Sequence, residues 1–223
     1  MVYDFHTHSS LSDGTLSPME LIRRAQVREY KAIAVTDHAG IGYLERVIKE
    51  VAEDCALARA HWDILAIPGV ELTHVPARAI ADAARRAKEL GAWLVVVHGE
   101  SIVEPVEKGT NIAALQCPFV DILAHPGLIT IEEAELAATA GVFLEISARK
   151  GHSLTNGHIF QMARLTGAKL LLNSDAHDET DLLTPHLACQ TARGAGLSEE
   201  EINEILINNP HTLLRRLPIP AQD

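Results

Sequence analysis

Short apolar runs alternate with longer stretches of mixed polarity along the whole chain. Seven runs are nearly continuously apolar, which is typical of strands covered on both faces: residues 2–6, 32–36, 64–70, 93–97, 120–124, 142–146 and 169–173. The stretches between these runs have helical patterns. The order of elements therefore predicts about seven strand–helix units and a parallel sheet with right-handed crossovers.

Capping residues mark the predicted helix boundaries. Residues 17–20, Ser-Pro-Met-Glu, provide an N-cap serine, a proline at the first helical position and a glutamate that can close a capping box. Residues 198–201 repeat the capping-box pattern. Gly91, Gly141 and Gly167 each precede a predicted strand, and they predict helix ends because glycine adopts the left-handed conformation readily.

Two architectures fit this order of elements: an open doubly wound sheet and a closed barrel. A dinucleotide-binding sheet would need a glycine-rich turn after its first strand, and the chain instead has His6-Thr7-His8-Ser9-Ser10. We therefore predict an α/β fold, a TIM-like barrel with parallel strands. Because the chain has 223 residues and lacks a Pro/Ser-rich linker, we also predict a single domain over residues 1–223.

The composition fits an acidic enzyme better than a nucleic-acid binder. Hydrophobic residues make up 47% of the chain, and the formal charge of −11 argues against binding to nucleic-acid backbones, which needs a basic face. Cys55, Cys117 and Cys189 are odd in number and far apart, which predicts free thiols in a reducing compartment. No run resembles a signal peptide or a membrane span, so we expect a cytoplasmic protein without a membrane partner. The sequence leaves the oligomeric state open.

The 12 histidines are the unusual feature of the composition, because imidazole is the commonest protein ligand for transition metals. Many follow the end of a predicted strand and are joined by carboxylates: His6, His8, Asp13, His38, Glu71, His98, His125, Asp175 and His177. The carboxyl ends of barrel strands open onto one face, where barrel enzymes have their active sites. Side chains at positions i and i+2 of a strand share a face, so His6 and His8 can reach one ion. The pattern predicts a metal site.

Each of these residues also has a purely structural interpretation. Asp13 precedes a glycine in a turn-like pair, Asp37 could cap the next helix, and Asp175 could cap a later one. Glu71 is harder to explain in this way, because a carboxylate after an apolar run is costly to bury unpaired. Since all the structural interpretations would have to hold together, a metal site is favoured.

Taken in order, the motifs resemble those of the PHP (polymerase and histidinol phosphatase) family, and most of all its stand-alone members related to histidinol-phosphate phosphatase. The motifs are His6-Thr7-His8 with Asp13, Thr36-Asp37-His38, Gly69-Val70-Glu71, His98, Ala124-His125-Pro126 and Ser174-Asp175-Ala176-His177. The likeness extends from residue 2 to the region of Asn209-Pro210-His211. It implies a distorted barrel of seven β/α units that holds three metal ions.

The resemblance also implies a ligand set for each ion. The sets, in order of the ions, are His6, His8, Glu71 and Asp175; Glu71, His98 and His125; and Asp13, His38 and His177. Some family members have histidine where this chain has Asp13, so the metal preference of the third site is left open. Imidazole and carboxylate ligands together suit zinc, manganese or iron better than magnesium or calcium.

The resulting hypothesis is a metal-dependent phosphatase that hydrolyses a small phosphate monoester such as histidinol phosphate. A hydroxide between the first two ions would attack phosphorus, and the ions would neutralise charge on the phosphoryl oxygens. Glu71 and Asp175 are expected to take part as metal-binding carboxylates. His177 or Asp13 is expected to protonate the leaving oxygen.

Basic residues after the sixth predicted strand are candidates for contacts with the substrate. Arg149 and Lys150 are predicted phosphate clamps, because the planar guanidinium group suits bidentate phosphate binding. Lys108 is a weaker candidate. His152 and His158 lie in the same region as Arg149 and are candidate substrate contacts as well.

Two other functions remain open at this point. A TatD-like nuclease or another amidohydrolase-type barrel also has the His-x-His pattern, but the motifs at Asp37-His38 and Asp175-Ala176-His177 argue for a third ion. A non-catalytic barrel in a ribonucleoprotein, or a proofreading-like accessory module, would be expected to have lost metal ligands and gained basic charge. This chain shows neither change.

Overall fold

Eight parallel strands form one sheet in the computed structural model, which describes residues 1–220. The strands are β1 (Tyr3–Asp4), β2 (Ala32–Val35), β3 (His38–Ala39), β4 (Leu65–Leu72), β5 (Leu94–His98), β6 (Ile122–Ala124), β7 (Phe143–Ser147) and β8 (Leu170–Asn173). Their order in the sheet is β1-β2-β4-β5-β6-β7-β8, and the short β3 pairs with β4. Every neighbouring pair is parallel.

The first and last strands of this order approach each other, so the sheet is a nearly closed barrel. Thr7 and Ala176 form a parallel bridge. Around it, His8 N donates to Ala176 O at 2.8 Å and Asp175 N donates to His6 O at 3.0 Å. The predicted TIM-like barrel with parallel strands is thereby confirmed. The single domain over residues 1–223 stays a prediction, and residues 221–223 lie outside the described range.

Helices connect the strands and cover the outside of the barrel. They are α1 (Pro18–Val27), α2 (Leu44–His61), α3 (Ile80–Glu89), α4 (Thr110–Leu115), α5 (Ile131–Ala140), α6 (Asn156–Thr166), α7 (Pro185–Gly194), α8 (Glu199–Asn203) and α9 (Asn209–Leu214). Between α8 and α9 the chain forms a π-helical turn over Glu204–Asn208. Among the helices of residues 1–220, none is long and apolar enough to cross a membrane.

The predicted helix boundaries agree with the structure, with one exception. Ser198 forms a complete capping box with Glu201 at α8. At α1 the box is only half formed: Ser17 accepts from the Glu20 backbone N–H at 3.3 Å, but the Glu20 carboxylate pairs with Arg24 instead. Glycines 91, 141 and 167 all have positive φ after the ends of α3, α5 and α6.

Two apolar clusters lie on opposite sides of the sheet. The larger one fills the layer between the strands and the helices. The smaller one fills the inside of the barrel near the amino-terminal ends of the strands: Phe5, Ala32, Ala34, Ile67, Leu94, Val96, Ile122, Ala124, Phe143, Leu171, Leu213 and Leu217. Leu213 and Leu217 come from the C-terminal segment and close this end of the barrel.

Inward-facing positions change from apolar to polar towards the carboxyl ends of the same strands. Successive side chains alternate between the two faces of a strand. On β7, Phe143 is followed two residues later by buried Glu145, and on β8 Leu171 is followed by buried Asn173. On β4, Ile67 precedes Gly69, where a Cβ atom would lie 2.7 Å from the methyl group of Thr36, so a side chain there would displace its neighbours. The polar inward-facing positions therefore lie at the carboxyl ends of the strands, and these ends are where the candidate site is found.

Candidate metal centre

The predicted ligands come together at the carboxyl ends of the strands, from six separate regions of the chain. Their donor atoms form four overlapping groups, with all atoms of a group within 4.8 Å of one another. The groups are His8, Asp13, His38 and His177; His98, His125 and His152; His6, Glu71 and His125; and His6, His8 and Asp175. Each predicted ligand belongs to at least one group. Their roles as ligands stay predictions.

His6 and His8 follow β1 and converge as the His-x-His pattern predicts. The two Nε2 atoms are 3.0 Å apart. Asp175 Oδ1 lies 3.3 Å from His8 Nε2 and 3.9 Å from His6 Nε2. His6 Nδ1 lies 2.7 Å from Glu145 Oε2, so its Nε2 atom faces the group. Histidines that bind metals commonly have such a carboxylate partner on the second ring nitrogen.

Glu71 occupies the middle of the site and is fully buried. Its Oε1 atom lies 3.4 Å from His6 Nε2 and 3.8 Å from His125 Nε2. Its Oε2 atom lies 2.6 Å from His38 Nδ1 and 3.7 Å from His8 Nε2. The two oxygens therefore face different groups of imidazoles, which is the arrangement that a bridging carboxylate requires.

The group around Asp13 is the most exposed part of the site. Asp13 Oδ1 lies 3.1 Å from His177 Nε2 and 3.7 Å from His38 Nε2, and the Asp13 side chain is 56% exposed. Asp13 and His38 line a cavity of about 380 Å³, together with Tyr43 and Glu104. The site is therefore open to a small molecule from this side.

Asp37 does not cap a helix, although this was one interpretation of the sequence. Its carboxylate accepts from Ser9 N at 2.8 Å, from Ser9 Oγ at 2.7 Å and from Ser12 Oγ at 2.6 Å. The residue before α2 is Tyr43, so the capping interpretation of Asp37 is wrong. Asp37 instead holds the loop that carries Asp13.

Two residues of the site have strained backbone conformations. His125 has φ 26° and Asp175 has φ 54°, in a region that side-chain-bearing residues rarely adopt. Such residues cost of order 1–3 kcal/mol each and concentrate at functional sites, where the surrounding structure holds them in place. The barrel therefore holds these two side chains in the site at a cost in backbone energy.

Burial and mutual contact shift the pKa values within the site in different directions. Burial raises the pKa of Asp175 well above its usual value. Burial and the neighbouring imidazoles hold the pKa of His8 well below its usual value. For His6, burial alone would lower the pKa, but the charges of Glu145 and Glu71 raise it well above its usual value. The ionisable groups lie so close together that the charge of one changes the pKa of the next. Metal binding requires the imidazoles in their neutral form.

The buried polar atoms support a site for cations. Among the residues that the structure describes, Glu71 Oε1, His8 Nδ1 and His125 Nδ1 are buried without a hydrogen-bond partner. A buried carboxylate oxygen without a partner is costly, and a cation among these groups would remove that cost. The donor set also fits, since imidazole and carboxylate groups are typical ligands of zinc, manganese and iron.

The predicted substrate contacts have different outcomes. Arg149 is half-buried at the site, where its Nη1 atom donates to Asp175 O at 3.1 Å and also contacts His177 Nδ1. Lys108 and Lys150 are exposed, and within the described residues neither makes a hydrogen bond or an ion pair. Their predicted contacts with the substrate therefore stay predictions without support from the site.

The two histidines after β7 occupy different positions relative to the site. His152 is buried within the His98 and His125 group. His158 Nε2 donates to Ile129 O at 2.7 Å, away from the groups. The interpretation of His158 as a substrate contact therefore stays a prediction without support from the site.

Sequence reasoning missed Glu145 and Glu104. Glu145 lies in the middle of the predicted strand 142–146, where a charged residue in an apolar run was a usable signal. It is fully buried and also accepts from Asn173 Nδ2 at 2.9 Å. Glu104 lies in the loop after β5, with Oε2 3.2 Å from His98 Nε2. The sequence around Glu104 carries no comparable signal.

Comparison with known proteins identifies relatives over the whole chain. A family model described as the PHP domain matches residues 4–149. An uncharacterized protein of Methanocaldococcus jannaschii is 45% identical over 218 residues, which cover 97% of this chain and 100% of that protein. A protein of Thermoanaerobacter sp. (strain X514) named a probable phosphatase is 29% identical over 227 residues, 90% of this chain and 89% of that protein.

Two solved structures share the fold at low sequence identity. Histidinol phosphate phosphatase from Lactococcus lactis, crystallised with zinc, L-histidinol and phosphate, has a TM-score of 0.62 and 15% identity, covering 88% of this chain and 94% of that chain. A chain of an archaeal ribonuclease P, solved by cryo-electron microscopy with mature tRNA, has a TM-score of 0.72 and 14% identity, covering 95% and 90%.

Proposed function

Because the chain belongs to the PHP domain family, we propose that it is a metal-dependent phosphatase that hydrolyses a small phosphate monoester. The observation that carries the proposal is the convergence of the predicted ligands around buried Glu71, whose Oε1 atom has no partner among the described residues. The relative named a probable phosphatase supports the same reaction. So does the fold shared with a structure whose bound molecules are zinc, L-histidinol and phosphate.

The proposed site holds three divalent ions of zinc, manganese or iron. The ligand sets are His6, His8, Glu71 and Asp175; Glu71, His98 and His125; and Asp13, His38 and His177. Ions bound there would lower the pKa of water and neutralise charge on a phosphoryl group. The side chains of the protein must then bind the substrate and orient it.

Arg149 is the proposed phosphate-binding side chain. Its Nη1 atom donates to Asp175 O, and its Nε atom lies 3.8 Å from Asp175 Oδ2. The side chain is 26% exposed, so it is accessible to a small ligand. A planar guanidinium group can donate two parallel hydrogen bonds to phosphate oxygens.

The leaving group of the substrate would occupy the cavity of about 380 Å³ beside Asp13 and His38. This volume lies in the range of small-molecule sites, which supports a small monoester. His177 and Asp13 remain the predicted proton donors to the leaving oxygen.

The test combines elemental analysis with an activity screen. The protein purified with its native metals is expected to contain two to three transition-metal ions and to release phosphate from at least one monoester. The panel includes histidinol phosphate, nucleotides, sugar phosphates and phosphotyrosine. Correctly folded protein that binds no added zinc, manganese or iron would refute the proposal.

A second candidate function has one observation in its favour, the TM-score of 0.72 with a chain of archaeal ribonuclease P. A role in an RNA–protein assembly would need affinity for RNA. A titration with structured RNA at increasing salt concentration tests it, since phosphate contacts give a steep salt dependence. The net charge of −11 and the retained ligand groups favour the phosphatase.

A further inference from the structure

The second ion site has more donor groups than the ligand set proposed above. His152 lies at the start of the short helical turn after β7, residues His152–Thr155, and is 2% exposed. One ring nitrogen of His152, one of His98 and one of His125 all lie within 4.8 Å of one another. The His125 and His152 rings are nearly parallel with their centres 3.9 Å apart, so one ring must turn for both to bind the same ion in the ring plane. Three buried ring nitrogens lie around one point.

Hydrogen bonds orient two of these imidazoles with Nε2 towards that point. His98 Nδ1 donates to Gly99 O at 3.0 Å, so its Nε2 atom carries the free lone pair when the ring is neutral. His152 Nδ1 lies 2.7 Å from the hydroxyl of Ser101, and its Nε2 atom faces inward to Asp175 Oδ2 at 3.8 Å. A partner on Nδ1 is the usual support of a histidine that binds metal through Nε2.

A carboxylate completes this group. Glu104 Oε2 lies 3.2 Å from His98 Nε2 and 3.5 Å from His152 Nε2. A neutral His98 with its proton on Nδ1 directs a lone pair at this oxygen, and two acceptors at such a distance repel each other. A positive charge between them, a proton or a metal ion, removes that repulsion.

We propose that His152 and Glu104 bind the second ion together with His98 and His125. The inference rests on the proposed function, because it adds ligands to the same site. With the bridging carboxylate of Glu71, the second ion would then have three imidazole and two carboxylate ligands. This number is within the four or five ligands that zinc accepts.

Glu104 is the exchangeable member of the set. Its side chain is 50% exposed and comes from the loop after β5, whereas the three histidines are buried. It also lines the cavity proposed for the leaving group. A phosphate oxygen that reached a bound second ion would therefore displace Glu104 more readily than the buried imidazoles.

The first test is His152→Ala with His158→Ala as the matched control. Zinc affinity is measured on each full-length variant by competition with a chromophoric chelator, and the metal-to-protein ratio by elemental analysis. Loss of an outer hydrogen-bond partner already weakens metal binding by about 10–100-fold. We therefore expect one zinc of His152→Ala to bind at least about 100-fold more weakly, and His158→Ala to match the wild type.

Unchanged zinc affinity and stoichiometry in folded His152→Ala would overturn the inference, even if activity fell, since His152 would then contact only the substrate. Wild-type protein that binds no metal would refute the proposed function as well, which distinguishes the two failures. If circular dichroism shows that His152→Ala is unfolded, His152→Asn takes its place.

The second test is Glu104→Gln, which keeps the shape of the side chain and removes its charge. The visible spectrum of the cobalt-substituted protein reports the ligands of the ion. We expect the spectrum to change in Glu104→Gln, and KM for a phosphate monoester to fall because the competing ligand is weakened. An unchanged cobalt spectrum would exclude Glu104 from the ligand set.

Discussion

The two ends of the barrel are built from the same strands but have opposite chemistry. Near the amino-terminal ends, the interior contains Phe5, Ile67 and Phe143 and is closed by Leu217. Near the carboxyl ends, the interior contains imidazoles and carboxylates, with backbone strain and buried atoms that lack partners. The amino-terminal end therefore stabilises the fold by burying apolar side chains, whereas the carboxyl-terminal end holds reactive groups together at a cost in free energy.

Strand β4 contributes one residue to each end of the barrel, and the two are only four positions apart. Ile67 and Glu71 are both fully buried, and both side chains face the inside of the barrel. Burying an aliphatic side chain of this size stabilises the fold by about 1.5–3 kcal/mol. Burying a carboxylate costs free energy unless hydrogen-bond donors or cations replace the water molecules that solvated it. Substitutions at these two positions should therefore have separable effects.

Glu71→Ala should damage the site more than any other proposed substitution. Because both carboxylate oxygens face groups of imidazoles, the change should remove bound metal and lower kcat/KM by more than about 1,000-fold, or about 4 kcal/mol of transition-state stabilisation. Elemental analysis and phosphate release measure the two effects. Far-UV circular dichroism serves as the control for folding. Near-native turnover in a folded variant would mean that Glu71 is not central to the site.

Ile67→Ala is the matched change at the other end of β4. It leaves a cavity in the interior cluster and should lower the free energy of unfolding by about 2–5 kcal/mol. Urea denaturation of the metal-free protein measures this loss. The metal-to-protein ratio should equal that of the wild type at temperatures where the variant is folded. A variant that loses its metal while still folded would contradict the separation of the two ends.

The sequence predicts the apolar strands that form the amino-terminal end of the barrel and most of the polar residues at its carboxyl-terminal end. Continuous apolar runs place most strands to within one or two residues, as at β2, where residues 32–36 were predicted and Ala32–Val35 are found. The first strand is shorter than predicted, Tyr3–Asp4 instead of residues 2–6. Its regular pairing stops before the chain delivers His6 and His8 to the site.

The residues that sequence reasoning missed depend on tertiary contacts. Glu145 stands beside His6 only because β7 and the segment after β1 are brought together by barrel closure. Glu104 reaches the imidazoles from a loop whose path no local pattern predicts. His152 was predicted as a substrate contact because the sequence cannot show that its ring stacks on His125.

Glu145→Gln tests the boundary between the two ends, since Glu145 lies two residues beyond Phe143 on β7. The amide keeps the size of the side chain but weakens the charge-assisted contact with His6 Nδ1. Metal affinity should fall by about 10–100-fold, as for other partners of metal-binding histidines. Chelator competition measures the loss.

Phe143→Ala is the control for Glu145→Gln on the same strand. It should destabilise the fold by about 3–5 kcal/mol and leave metal affinity unchanged. Equal metal affinity in Glu145→Gln and the wild type would place Glu145 with the structural end of the barrel.

The smallest effect is expected from Arg149→Lys, at the open rim of the carboxyl-terminal end. Lysine keeps the charge but loses the planar fork, so it cannot make two parallel hydrogen bonds to phosphate oxygens while it also donates to Asp175 O. KM for a phosphate monoester should rise about tenfold, or about 1.4 kcal/mol, with metal content and the free energy of unfolding unchanged. Lys150→Ala is the comparison at the neighbouring position, where the side chain is exposed, and an unchanged KM would contradict the predicted role of Lys150 as a phosphate clamp. A larger effect on metal content than on KM would mean that Arg149 supports Asp175 and does not bind phosphate.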